Sequence, residues 1–144
     1  HLLLFDTSIQ HVSGEIHDNI WKQFHDHNEQ VIQGLDMIRD AGLSMASAIH
    51  DEEISQVINS MRMVMLGIDL IDEKLHDPFR DVLTPLEEIG SVLAWKAMGA
   101  GGGGIVGVLV EGGEHAKSSL IQATESVGWT QLQWEIEYSG INQQ

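Results

Sequence analysis

The residues best suited to chemistry are the run Gly99-Ala100-Gly101-Gly102-Gly103-Gly104. Backbone almost free of side chains accepts positive φ and lets successive N–H groups converge on an anion, so phosphate is the natural guest. Gly99, Gly101 and Gly104 satisfy the bare spacing G-x-G-x-x-G, but the dinucleotide fingerprint needs strand, loop and helix in that order. Here a helix is expected before the loop and a strand after it. A Walker A loop is excluded because Ile105 and Val106 follow where Lys and Ser or Thr would handle phosphate and magnesium. A linker would be polar on both sides, whereas this loop is expected to be clamped between two apolar elements. Lys96 is the side chain best placed to meet a phosphate; the plain alternative is a solvated lysine near a helix end.

The histidines raise the question of a metal. His17, Trp21 and His25 stand at intervals of four, and Glu29 continues the row, so imidazole and carboxylate are expected on one helical face. No His-x-x-x-His or His-Glu-x-x-His pattern occurs, and no metal site is assigned; a solvated or partner-facing stripe is expected instead. Met37, Met45, Met61, Met63, Met65 and Met98 are read as core filler rather than as a soft-metal site.

Several elements must position these residues. His1 to Phe5, followed by Asp6, Thr7 and Ser8, reads as a buried strand ending in turn chemistry, with none of the features of a signal peptide. Such an opening leads us to expect part of a larger protein. Val12, Ile16, Ile20, Phe24, Val31, Leu35 and Ile38 recur at intervals of three, four or seven, which predicts one long helix ended by Gly42. Asp51 is the expected N-cap of a second helix, with the face Ile54, Val57, Ile58, Met61, Met65 and Ile68, widened by Val64 and Ile71 and closed by Pro78. Thr84-Pro85-Leu86-Glu87 predicts a third helix from Pro85 to about Ala97. Ile105 to Val110 reads as a strand, Gly112 and Gly113 as a turn, and Glu114 to Val127 as a helix stopped by Gly128. Leu132, Trp134, Ile136 and Tyr138 alternate with polar residues, as in a strand with one solvated side. The expected fold is therefore α+β, a two-layer sandwich with a small antiparallel sheet covered by helices on one face, and residues 1–144 form a single domain.

Composition narrows the partners. With 22 acidic and 7 basic side chains the formal charge is −15, so a nucleic acid backbone or an anionic membrane surface would be repelled. No apolar run approaches the roughly 20 residues that span a bilayer. The absence of cysteine removes disulfides, thiolate catalysis and sulfur-ligated zinc, and the cytoplasm is the default compartment.

Lys96-Ala97-Met98-Gly99-Ala100-Gly101-Gly102-Gly103-Gly104-Ile105-Val106 resembles the third motif of the GHMP kinases (galactokinase, homoserine, mevalonate and phosphomevalonate kinases), a Lys-x-Ser/Thr-Gly-Ala-Gly-Gly-Gly-Gly run before a strand. The segment Leu2 to Thr7, Ser13-Gly14-Glu15, and the stretch from Trp134 through Gly140 are similar to the heptose-kinase-like branch. The resemblance implies a ferredoxin-like C-terminal, substrate-binding domain of an ATP-dependent sugar or sugar-phosphate kinase. It also implies ATP and Mg2+ whose main ligands lie in an N-terminal domain or partner chain outside these residues. The loop 99–104 and Lys96 would lie near the phosphates, no catalytic residue transfers to this chain, and the chain alone should be inactive. Met98 replaces the usual Ser or Thr, and Trp95 stands where a small residue is common. The alternative expectation is a non-catalytic module that binds a small ligand or forms a homodimer through the surface a second lobe would cover.

Overall fold

A computed structural model describes residues 1–10, 12–99 and 101–136. Four antiparallel strands, β1 (Leu2–Asp6), β2 (Val92–Ala97), β3 (Ile105–Val110) and β4 (Thr130–Leu132), form one sheet in the order β2-β3-β1-β4. Five helices accompany it: α1 (Ser13–His25), α2 (Glu29–His50), α3 (Ile54–Asp72), α4 (Asp77–Glu88) and α5 (Glu114–Ser126), with a 3₁₀ turn at Glu73–His76 between α3 and α4. The expected α+β sandwich, a small antiparallel sheet packed against helices, is the fold found.

Register sorts the sheet residues into two faces, because directly paired residues point the same way. Leu3 pairs Val108 and Phe5 pairs Val106, while Trp95 pairs Val108 and Ala97 pairs Val106. This face packs on Phe79, Leu83 and Leu86 of α4 and Leu120 of α5, with Trp129 closing the cluster. Leu2 pairs Leu109 and Leu4 pairs Gly107 on the opposite face. A second, smaller cluster joins Ala41 of α2 to Val64 and Ile68 of α3 and to Leu75, with Ile16 and Ile38 beside it. The stretch from Ile54 to Glu88 is long and apolar enough to cross a bilayer on those counts alone. Here it is interrupted by the 3₁₀ turn, and Val64 and Ile68 are buried in this second cluster.

Three sequence expectations are corrected. The single helix from Val12 to Gly42 is two helices, because His27 takes φ 57° and the Asn28 side chain accepts from Gln30 N–H at 3.0 Å and Val31 N–H at 3.4 Å, capping a new start. Glu29 therefore begins α2 and does not continue the row of His17, Trp21 and His25. Gly42 does not end α2, which runs to His50 and makes Asp51 its C-cap; Glu53 is the N-cap of α3. An exposed glycine within a helix costs only about 1 kcal/mol against alanine, too little to stop a helix whose apolar side continues through Ala48.

The third correction matters most for the site. Pro78, not Pro85, occupies the first turn of α4, and Pro85 lies in its last turn. Gly90, at φ 76°, follows the end of that helix, and Val92 to Ala97 is a strand. A short, mostly apolar run suits a buried strand as well as a helix, and here it pairs with the edge of β3. The sheet thus has four strands where three were expected. The final expected strand extends only from Thr130 to Leu132; Trp134 and Ile136 lie beyond it and are exposed, and Tyr138 falls outside the described residues.

Candidate functional site

The glycine loop joins β2 to β3 as the turn of a hairpin, so its context is strand, loop, strand rather than helix, loop, strand. Met98 N–H donates to the Ile105 carbonyl at 2.8 Å and closes the neck. Beyond it Gly99, Gly101, Gly102, Gly103 and Gly104 all have positive φ, from 73° to 154°. Ala100 lies outside the described residues. Two neighbours approach the loop too closely for side chains. A Cβ on Gly101 would stand 3.0 Å from Leu75 Cβ, and one on Gly103 only 2.5 Å from the Ile9 carbonyl oxygen.

The loop is pinned from both sides. Gly102 N–H donates to the Leu75 carbonyl at 2.7 Å, and Gly104 N–H to the Ile9 carbonyl at 3.0 Å. The Gly104 carbonyl accepts from Thr7 N–H at 3.0 Å and from the buried Thr7 hydroxyl at 2.8 Å. Two amides of the expected phosphate nest therefore serve the protein's own carbonyls, and a nest that uses all six backbone N–H groups is not formed. Gly99 is different: it is exposed, and a Cβ there would meet nothing within 4 Å.

Gly99 and Lys96 both line a hollow of about 240 Å³. Its walls come from α1 (Ile20, Trp21), α2 (Leu35, Ile38) and α3 (Val64, Ile68, Ile71), and Leu75 of the 3₁₀ turn completes them. Lys96 projects from the strand and donates Nζ to the Ala97 carbonyl at 2.8 Å. Burial lowers its pKa from the usual lysine value, since a partly dehydrated ammonium holds its proton less well. His17 also lines this space, and Trp21, part of its wall, stacks on His25 at 6.1 Å. Among the described residues no three His, Asp or Glu side chains converge as metal ligands would. Of the methionines read as core filler, Met61 is buried while Met63 and Met98 are exposed.

Behind the loop stands a polar cluster that the sequence did not announce. His76 is completely buried, with Nδ1 2.6 Å from Asp69 Oδ1, and the same oxygen accepts from Arg80 Nη2 at 2.5 Å. Burial lowers the His76 pKa, opposed by Asp69 and assisted by the charges of Arg80 and Lys96. In the neutral ring Nδ1–H donates to Asp69, and among the described residues Nε2 has no hydrogen-bond partner. Its ring meets Trp95 edge-on at 4.9 Å. The adjoining Leu75 carbonyl is the one that takes Gly102 N–H, so this cluster holds the floor under the loop.

Neither a protein-family model nor a curated protein matches the chain. Solved structures do share its fold. The Lin0012 protein from Listeria innocua superposes over 94% of this chain with a TM-score of 0.80 at 14% identity, using 39% of that protein. Streptococcus pneumoniae phosphomevalonate kinase, solved with phosphomevalonate and AMPPNP, superposes over 92% with a TM-score of 0.71 at 15% identity, using 38% of its length. L. major mevalonate kinase, solved with R-mevalonate, superposes over 88% with a TM-score of 0.63 at 15% identity, using 39%. The chain thus has a fold found within two GHMP kinases and spans about two-fifths of the length of the proteins it matches.

Proposed function

We propose that this chain is the C-terminal, substrate-binding half of an ATP-dependent small-molecule kinase. In this reading the γ-phosphoryl bond to ADP breaks, a bond to the acceptor hydroxyl oxygen forms, and the hydroxyl proton passes to a base in the completing half. That half, a second domain or a partner chain, would also supply the main ATP and magnesium ligands. Phosphoryl transfer depends on positioning and charge stabilisation by the whole constellation, so these residues alone should transfer nothing measurable.

The observation that carries the reading is that Gly99 and Lys96 line a hollow, on a glycine hairpin locked by Leu75 and Ile9. The locked segment from Gly101 to Gly104 sets the position of the hairpin, leaving Gly99 and Lys96 as the groups that face a ligand. Sugars and sugar phosphates are the acceptors implied by the motif resemblance. The test joins the chain to its upstream coding sequence and assays ATP-dependent phosphorylation of a hexose, heptose and small-alcohol panel. Gly102→Val should reduce turnover at least about 100-fold, because a β-branched residue at φ 77° distorts the hairpin. Full turnover in that variant would remove the role given to the loop.

One observation favours the non-catalytic alternative. The sheet face opposite the helices carries Leu2, Leu4 and Leu109, and Ile105 and Met98 at its loop end are exposed, which is apolar surface a second copy could cover. A monodisperse dimer without nucleotide affinity would support that reading.

A further inference from the structure

The α2–α3 pair encloses a second space, which shares no lining residue with the hollow beside the hairpin. One compartment, of about 270 Å³, is lined by Asp40 and Ser44 of α2 and by Gln56, Asn59 and Ser60 of α3. Another of about 240 Å³ adjoins it, since it shares Ser44 and Gln56 and adds Ser47, Asp51 and Glu53. Asp40, Ser44, Ser47 and Asp51 recur at intervals of three or four, so one stripe of α2, ending at its C-cap, walls both compartments.

Ser60 distinguishes this groove from an ordinary surface furrow. It is only 2% exposed, yet among the described residues its hydroxyl has no hydrogen-bond partner. A buried hydroxyl in a helix usually turns to a carbonyl one turn earlier. Thr124, also buried, does so in α5, donating to the Leu120 carbonyl at 3.0 Å and the Ile121 carbonyl at 2.9 Å. Ser60 lacks that outlet and lines the first compartment instead. A buried hydroxyl left in this state costs free energy until a polar group arrives to pair with it.

Charge selects the guest. The lining includes the carboxylates of Asp40, Asp51 and Glu53 and no Lys, Arg or His. Arg39 lies outside the lining and engages Oδ1 of Asp40 at 2.8 Å, while the neutral Ser47 hydroxyl donates to Asp51 Oδ2 at 3.2 Å. Negative charge therefore remains over the groove and favours a cation. Among the described residues no three His, Asp or Glu side chains gather as metal ligands would. The carboxylates are strung out instead, with Asp40 and Asp51 about 16 Å apart along α2 at the usual helical rise. That spacing suits positive charges distributed along a chain. Met37, Ala41 and Met63, also in the lining, offer apolar contact to the methylenes between such charges.

We infer that the groove binds an aliphatic polyamine, with one ammonium on Ser60 and Asp40, another on Asp51 and Glu53, and methylenes against Met37, Ala41 and Met63. Such binding is independent of the kinase reading.

The test is calorimetric titration of the 144-residue chain with spermine, putrescine and magnesium chloride, at about 0.15 M salt to screen diffuse attraction to the acidic surface. Spermine should bind at one site, at least about fivefold more tightly than putrescine, which is too short to reach both compartments. Magnesium at equal concentration should not displace it. Ser60→Ala should weaken spermine at least about threefold and should also raise the urea midpoint, because it removes a buried hydroxyl that has no partner. A serine of purely structural consequence would move the midpoint alone. Asp40→Asn should weaken spermine about threefold or more, whereas Glu125→Gln, at an exposed carboxylate on α5, should leave it unchanged. No saturable binding, several equivalent sites, equal affinity for putrescine, displacement by magnesium, unchanged affinity in Ser60→Ala, or an equal loss in Glu125→Gln would each overturn the inference.

Discussion

The two sides of this protein are packed to different standards. Under the sheet, Phe79 and Leu83 of α4, Leu120 of α5 and Val106 and Val108 of β3 are wholly buried, with Trp95 and Trp129 completing an aromatic cluster around Phe79. Across the α2–α3 pair, α1 buries no residue fully, and Trp21 on it is 57% exposed. The pair itself is tight, since a Cβ on Gly34 would stand 2.5 Å from the Gly67 carbonyl oxygen. The hollow of about 240 Å³ lies at the seat of α1. The sheet side fixes the fold, and the α1 side leaves room for a guest.

The largest expected effect breaks the tight side. Phe79→Ala removes a ring that touches both Trp95 and Trp129 and leaves a cavity that neighbours on two elements cannot close. A loss of about 3–5 kcal/mol in unfolding free energy is expected, measured by urea denaturation. A loss under about 1 kcal/mol would mean that this cluster is not the packed core described.

His76 joins the two sides, because its ring packs on Trp95 while the preceding residue, Leu75, lines the hollow. Burial lowers its pKa below the usual histidine value, so the unfolded chain takes up a proton more readily than the folded one. The stability this contributes is fully present above about pH 6.5 and is lost as the pH falls below it. The loss should approach about 1.4 kcal/mol for each further pH unit down to the folded value. His76→Gln, which cannot titrate, should show a shallower decline in urea midpoint between pH 7 and pH 5. Equal slopes in the two proteins would show that His76 is as easily protonated folded as unfolded, and that it does not tie the layers together as a neutral group.

The tight side was legible only in part, for a physical reason. The helix α5 was readable to within a residue because Gly113 and Gly128, both with positive φ, punctuate it in sequence. Strands β1 and β3 were readable from their apolar and β-branched content, but β2 was not, since its identity depends on pairing with β3. The break before α2 was hidden because the apolar stripe keeps its phase from Phe24 to Val31, across His27 and Asn28. The glycine loop announced itself as a loop with positive φ. Its internal hydrogen bonds did not, because Leu75 and Ile9 are remote in sequence. The hollow was invisible for the same reason, since its walls come from α1, α2, α3 and the glycine hairpin; the cluster of Asp69, His76 and Arg80 is local in sequence but depends on the 3₁₀ turn that folds α3 back towards α4.

The smallest expected effect sharpens the contrast from the loose side. Trp21 is the largest side chain on α1, and by composition alone its truncation should be as damaging as that of Phe79. Its exposure argues otherwise, because a ring that remains mostly in water in the folded state loses little transfer free energy when removed. Trp21→Ala should change unfolding free energy by no more than about 0.5 kcal/mol, the range of surface substitutions. The same change should weaken binding of any ligand held in the hollow, because Trp21 forms part of its wall. Stability and binding should thus separate at this residue, whereas Phe79→Ala moves stability first. If Trp21→Ala instead cost several kcal/mol, α1 would be packed as firmly as the sheet side, and the room assigned to a guest would not exist in solution.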